Sequence, residues 1–499
     1  MLKPRQDLKP NSAEFENIAF VKPTGFREYD ARWILDEEIN LLGIQALGLG
    51  LATYVHEAGV KPRIVVGHDY RSYSLMVKQA LILGLMDGGM EVLDIGLALS
   101  PMAYFGQFAL DAPCVAMVTA SHNENGWTGV KMGAQPPVTF GPDEMTRLKA
   151  IVLGGEGQSR PGGRIERVEN FRETYLQEVV GNIRLTRPLK VIAACGNGTA
   201  GAFAPDALRR MGAEVIEMDC NLDYTFPKYN PNPEDHEMLV SMAERLRETG
   251  ADLALGFDGD GDRCGVVDET GEEIFADKIG LLLARDLSAL HPNATFVVDV
   301  KSTGLYKTDE VLKANGASTV YWKTGHSYIK RKTAELGALA GFEKSGHFFL
   351  ADPIGRGYDD GLVAAAAVLQ MLDRNPGKGL SELKAALPDA WTSLTMSPHC
   401  GDEIKYVVLD RIVAEYEALA AAGGSILGRR ILEVITVNGA RVHLEDGSWV
   451  LVRASSNKPE LVVVVESMRS ADDMRALFHQ EVKPRLAAHP EIGAYNQEI

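Results

Sequence analysis

Three stretches of this chain repeat one order of elements, and that repetition limits the possible folds more than any other feature. Residues 62–68 (PRIVVGH), 189–195 (LKVIAAC) and 295–301 (TFVVDVK) are each a short apolar run followed by polar turn residues and a helical stretch. Each helical stretch stops at a glycine, a common helix terminator. A second apolar run follows at once: GMEVLDIG (89–96), GAEVIEMD (212–219) and GASTVYWKTG (316–325). A third run closes each unit: PCVAMVTASHN (113–123), DLALGFDGDGD (252–262) and GALAGFEKSGH (337–347). Strands alternating with helices imply parallel sheets covered by helices. In such sheets ligands bind beyond the carboxyl ends of the strands, where TASHN, DGDGDR and EKSGH all fall.

The boundaries follow from the same alignment. Arg187-Pro188 opens the second unit, Pro292-Asn293 the third, and Ser397-Pro398 a different fourth region. That region reads ILEVITVNGARVHLEDGSWVLVRASS, with Asn438-Gly439 and Asp446-Gly447 as hairpin turns between alternating strands. The expectation is three related α/β domains with mixed or parallel sheets (1–187, 188–292, 293–397) and a C-terminal α+β domain (398–499). A length of 499 residues suits three or four domains.

The second unit carries the most demanding chemistry. In DGDGDR, Asp258, Asp260 and Asp262 stand on alternate residues and repel one another in any compact state. A cation between them relieves the repulsion, and the glycines let the backbone fold around it. Hard oxygen ligands without Cys or His favour magnesium, manganese or calcium over zinc. An EF-hand reading fails at its sixth position, where Arg263 replaces the turn glycine, and the flanks read as strands. A solvated acidic turn is the bland alternative.

The other loops carry weaker signals. Ser121, beside His122 and followed by Lys131 in a glycine-rich stretch, is a candidate nucleophile or an ordinary turn serine. It is not a G-x-S-x-G elbow, so α/β-hydrolase chemistry is disfavoured. Glu343, Ser345 and His347 suit a polyhydroxylated ligand, with Lys323 and His326 at the end of the preceding strand. Arg453, Ser455, Ser456 and Asn457 form a compact set of donors for an anion such as phosphate.

Composition removes other classes. There are 51 Lys and Arg against 68 Asp and Glu, a net charge of -17, which argues against general nucleic-acid or anionic-membrane binding. The five cysteines are scattered with no C-x-x-C pair, so neither a disulfide framework nor a zinc site is indicated, and a reducing cytoplasm is expected. The first twenty residues carry charges and proline where a signal peptide needs an apolar run. Monomer and dimer are both compatible with this sequence.

Taken together, TASHN, DGDGDR, E-x-S-G-H and R-x-S-x-x-x-P, in this order, resemble the four active-site loops of the α-D-phosphohexomutase superfamily over nearly the whole chain. FREYDARW (26–33), WKTGHSYIK (322–330) and SGHFF (345–349) are similar to the bacterial phosphomannomutase/phosphoglucomutase group within it. The resemblance implies a heart-shaped, four-domain isomerase with a central cleft. It would interconvert hexose 1-phosphate and hexose 6-phosphate, of mannose or glucose, through a phosphoserine and a hexose 1,6-bisphosphate. Phosphoglucosamine mutase, or a magnesium-dependent sugar-phosphate phosphatase or binding protein, is the alternative. By motif position Ser121 is the phosphoserine, and Asp258, Asp260 and Asp262 hold Mg2+ with an oxygen of Ser121 or its phosphate. Glu343, Ser345 and His347 match sugar-binding positions; Arg453, Ser455, Ser456 and Asn457 match the site for the non-reacting phosphate. Tyr29, Arg32, His122, Lys131, Arg263, Lys301 and His326 match supporting positions, Lys131 for proton transfer. Glucose 1,6-bisphosphate is the implied activator. Glu124, Thr128, Trp33, Lys344 and the Ser456-Asn457-Lys458 run depart from the group's pattern and leave the preferred sugar open.

Overall fold

Each of the three aligned second runs begins at a glycine because the chain there turns through the left-handed region. Gly89, Gly212 and Gly316 have φ of 81°, 108° and 70°, where a side chain would be strained. A computed structural model describes residues 3–455 and 458–499. The chain forms two compact units, residues 1–276 with 345–381, and residues 277–344 with 382–499.

The first unit holds two sheets. In the first, Arg63–His68 lies at the centre, parallel to Glu91–Leu97 and Cys114–Val118. Trp127–Gly133 then returns antiparallel to Cys114–Val118, and Ala31–Ile34 joins it antiparallel. This return places Lys131 opposite Met117, one strand from the Ser121 loop. The second sheet repeats the plan. Lys190–Ala194 runs parallel to Glu214–Met218 and Leu253–Phe257, and Cys264–Asp268 returns antiparallel, making DGDGDR the turn of a hairpin. The apolar runs are buried on both faces, as strands between helices are. Residues 345–381, part of the segment expected as the third domain, pack in this unit. Their helix Gly361–Asp373 is capped by Asp360, which accepts from the amides of Leu362 and Val363.

In the second unit, Thr295–Asp299 runs parallel to Ser318–Trp322 and Ala340–Phe342. A second, antiparallel sheet orders Trp391–Thr392, Leu461–Ser467, Trp449–Ala454, Ala440–Leu444, Arg429–Ile435 and Ser425–Ile426 side by side. The two sheets are joined by buried polar groups. The Glu466 carboxylate accepts from Thr303 Oγ1, Gly304 N, Trp449 Nε1 and Thr392 Oγ1. Arg441 lies over the rings of Tyr321 and Trp449 and donates to the Val300 carbonyl. Among the described residues no helix is long and apolar enough to cross a membrane.

Candidate active site

Three neighbours pin the DGDGDR turn by its backbone. The amides of Thr199, Ser100 and Gly361 donate to the carbonyls of Gly259, Asp260 and Gly261. With those carbonyls engaged, the side chains of Asp258, Asp260 and Asp262 are packed together and fully buried. Each offers one carboxylate oxygen within 4.8 Å of the others. Burial first, then the charges of Asp260 and Asp262, push the Asp258 carboxyl well above its usual range. Burial would raise Asp260 too, but the adjacent Lys131 ammonium and the Lys131 and Ser100 hydrogen bonds outweigh it and hold it low. Asp260 Oδ1 and Asp262 Oδ1 accept no hydrogen bond although buried. A hard-oxygen donor set with open lone pairs fits a divalent cation such as magnesium.

Ser121 comes to this cluster from a distant part of the chain. Its Oγ lies 3.1 Å from Asp258 Oδ2, to which it donates. The residue sits in the left-handed region at φ 51°, an unusual conformation for a serine. It is held from both ends: its amide donates to Thr119 Oγ1 at 2.8 Å, and its carbonyl accepts from Arg71 Nη2 at 2.9 Å. Arg71 also donates to the carbonyls of Asn123 and Glu124. Asp69 supports the arrangement by accepting from Arg71 Nε, Thr119 Oγ1 and Ala120 N. Gly259 leaves room for the loop, since a Cβ there would come within 2.5 Å of the Ser121 carbonyl oxygen.

Cations surround the pair. Lys131 Nζ donates to Asp260 Oδ2 at 2.7 Å and also to Asp262 Oδ2. Burial opposes its charge, yet the two carboxylates more than compensate and keep it an ammonium. Arg263 Nε donates to His347 Nε2 and its Nη2 to His122 Nδ1, both at 3.0 Å. The Arg263 charge, then burial, drive the His122 pKa well down, so this imidazole is neutral. Arg32 is held by Asp30 and donates to Asn123 Oδ1 at 2.6 Å.

Four family profiles match the chain in succession. They are described as phosphoglucomutase/phosphomannomutase alpha/beta/alpha domain I (residues 23–158), domain II (173–271), domain III (275–391) and C-terminal domain (403–483). A phosphomannomutase/phosphoglucomutase of Pseudomonas putida is 33% identical over 454 residues, 90% of this chain and 93% of that one. The chain belongs to the phosphoglucomutase/phosphomannomutase family. A phosphoglucomutase of Neisseria meningitidis is 32% identical over 471 residues, 94% of this chain and 97% of that one. A crystal structure of a phosphoglucomutase/phosphomannomutase family protein from Burkholderia thailandensis superposes with a TM-score of 0.85 at 29% identity, covering 95% of this chain and 99% of that one. The activity is that of a hexose-phosphate mutase, an isomerase of carbohydrate metabolism.

For this family member, the first unit brings together Ser121, His122, Lys131, Arg263, His347, Arg32 and the three aspartates, while Tyr29 and Ser345 are half-buried in it. In the second unit Glu343 Oε1 accepts from the Gly325 amide, so Glu343 lies beside His326. Asp299 ties the loops around them, accepting from Thr324 Oγ1, Ser302 Oγ and the Lys344 amide, next to Lys301. Arg453 Nη1 donates to the Ala454 carbonyl, and Lys405 Nζ to the carbonyls of Ser455 and Lys458. Ser456 and Asn457 lie outside the described residues. Sequence reasoning missed Asp69, Arg71, Ser100 and Asp359, and placed Thr119 in the TASHN loop without a role of its own. The one available signal was HDYRS directly after the strand at 62–68, the same place in its unit as the other loops.

Proposed function

We propose that the protein interconverts the 1- and 6-phosphates of mannose or glucose by transfer through Ser121. One observation carries this reading: Ser121 Oγ, held at 3.1 Å from Asp258 Oδ2 by a strained and doubly tethered backbone, is aimed at three buried carboxylates with cationic partners beside it. Phosphoryl transfer asks a protein for positioning and for neutralisation of phosphoryl oxygens more than for covalent chemistry. A bound Mg2+ at Asp258, Asp260 and Asp262 would supply part of that neutralisation. Arg263 supplies another part, with donors directed by His122 and His347. Lys131, kept as ammonium, would give a proton to the Ser121 oxygen as its phosphate leaves and then, as the amine, take up the proton that the attacking hydroxyl loses. Burial of the loop keeps water from the phosphoserine.

Arg32 and Tyr29 support the Ser121 loop and its ligand. Ser345, His347, Glu343, Lys301 and His326 serve recognition of the sugar; Arg453 and Ser455, with Ser456 and Asn457, serve the phosphate that is not reacting. Because a cycle ends only when Ser121 regains its phosphate, an escaped bisphosphate leaves a dephosphorylated protein, and glucose 1,6-bisphosphate restores it. The scattered cysteines, with no C-x-x-C pair, support a cytoplasmic setting.

The test is a mutase assay with glucose, mannose and glucosamine phosphates side by side, with magnesium and catalytic bisphosphate, joined to intact-mass measurement. The expected result is isomerisation of glucose or mannose phosphates by a protein isolated partly one phosphate heavier. A protein that carries no phosphate on Ser121 even after bisphosphate treatment overturns the reading.

A further inference from the structure

Arg263 bridges two imidazoles, and this settles where their protons lie. A guanidinium has donors only. His347 Nε2 and His122 Nδ1 each receive an Arg263 N–H at 3.0 Å, so both present lone pairs. The ring proton of His347 is therefore on Nδ1, and that edge faces two carboxylates. Asp359 Oδ2 lies 3.1 Å from Nδ1, a charge contact outside hydrogen-bond alignment, and Asp262 Oδ1 lies 3.7 Å from it. Asp359 is itself fixed by neighbouring elements: it is fully buried, its backbone bridges to Phe349, and the next residue caps helix Gly361–Asp373. At the far end His122 Nδ1 lies 3.3 Å from Ser121 Oγ. A chain of contacts thus runs from Asp359 through His347, Arg263 and His122 to Ser121.

Asp262, His347 and Asp359 also have the spacing of a metal site. The hydrogen positions argue against that use. A cation on Nδ1 requires the proton on Nε2, where Arg263 already donates.

We infer that Asp359 is a positioning residue that holds His347 as its Nδ1–H tautomer, keeps Nε2 open to Arg263, and so aims the guanidinium toward Ser121. The partner of one ring nitrogen sets the state of the other. With the negative charge beside Nδ1 removed, the ring is free to take the opposite tautomer. Nε2–H would then oppose Arg263 Nε–H, donor against donor. The guanidinium would turn away, with Glu234 Oε2 already 3.2 Å from its Nη1. The inference rests on the reading of Ser121 as the phosphate-bearing serine.

The experiment is long-range proton–nitrogen correlation on full-length protein labelled at histidine nitrogens, with His347 assigned by its loss in His347→Gln. The expected spectrum has His347 protonated at Nδ1 only. Asp359→Asn is expected to admit the Nε2–H form and to lower kcat by about 10- to 100-fold, the range for carboxylates that orient metal-bound histidines, with KM for the hexose phosphate nearly unchanged. A wild-type ring protonated at Nε2 overturns the inference, and so does a folded Asp359→Asn with unchanged kcat. Should that variant not fold, the wild-type spectrum alone decides. Failure of the phosphoserine reading shows separately, as a wild-type mass without phosphate, and leaves the tautomer measurement intact.

Discussion

The Lys131 ammonium nitrogen lies 2.7 Å from Asp260 Oδ2, although the two residues are 129 positions apart and both buried. It also pairs with Asp262, so one side chain from the first sheet neutralises two carboxylates of the second.

Lys131→Met should therefore uncover a buried negative cluster. The expected loss of stability is about 3–5 kcal/mol, the scale for stranding one partner of a buried ion pair. Millimolar magnesium should raise the melting temperature of the variant more than that of the wild type, because a cation then substitutes for the missing ammonium. Thermal unfolding with and without the metal checks this; equal shifts in the two proteins would sink it.

Ser121→Ala removes the nucleophile while leaving the loop tethers in place. Mutase activity should drop by at least about 10³-fold. Intact mass should lose its phosphorylated species, and stability should change by only about 1 kcal/mol for the lost hydrogen bond to Asp258.

Arg71→Met cuts the bonds to the Ser121, Asn123 and Glu124 carbonyls and strips Asp69 of its cation. A cost of about 3–5 kcal/mol is expected. Arg71→Lys should recover much of that stability but little of kcat, since one ammonium cannot span three carbonyls as a planar guanidinium does. Equal kcat in wild type and Arg71→Lys would show that the tether does not position the serine.

Asp360 gives a pH dependence of stability. Burial, opposed by hydrogen bonds from the Val363 and Leu362 amides and the Tyr175 hydroxyl, pushes its carboxyl up to about 7 from an ordinary 3.8. The folded protein thus keeps a proton that the unfolded chain releases at lower pH. The stabilisation is full below about pH 4 and is lost as pH rises through about 7, a contribution of up to about 4 kcal/mol. Unfolding free energies at pH 5 and pH 8 should differ less in Asp360→Asn, whose amide oxygen preserves the helix cap. An identical pH dependence in the variant would contradict the assignment.

Much of this architecture was legible because it repeats. Three runs in register announced the sheets, and the Gly89, Gly212 and Gly316 boundaries were visible as helix stops. The three aspartates were legible because alternate carboxylates have few comfortable alternatives. What stayed hidden depends on contacts across long stretches of chain. Nothing near HDYRS says that Arg71 grips a loop some fifty residues away, and nothing near Asp359 says that it faces a histidine. The antiparallel return of Trp127–Gly133, which delivers Lys131, lies in a glycine-rich stretch whose periodicity is faint. Trp33, conspicuous as a departure from the group's pattern, is buried, with its Nε1 donating to the Lys22 carbonyl and its ring edge-on to Phe26. It is a packing residue in the first sheet.

The left-handed backbone at Ser121 narrows what descent can try at this position. Threonine also carries a hydroxyl, and elsewhere serine and threonine exchange freely over generations. A β-branched residue at that φ is a steric outlier, so the interchange is blocked here, and a lineage that loses this serine has no neighbouring alcohol to fall back on.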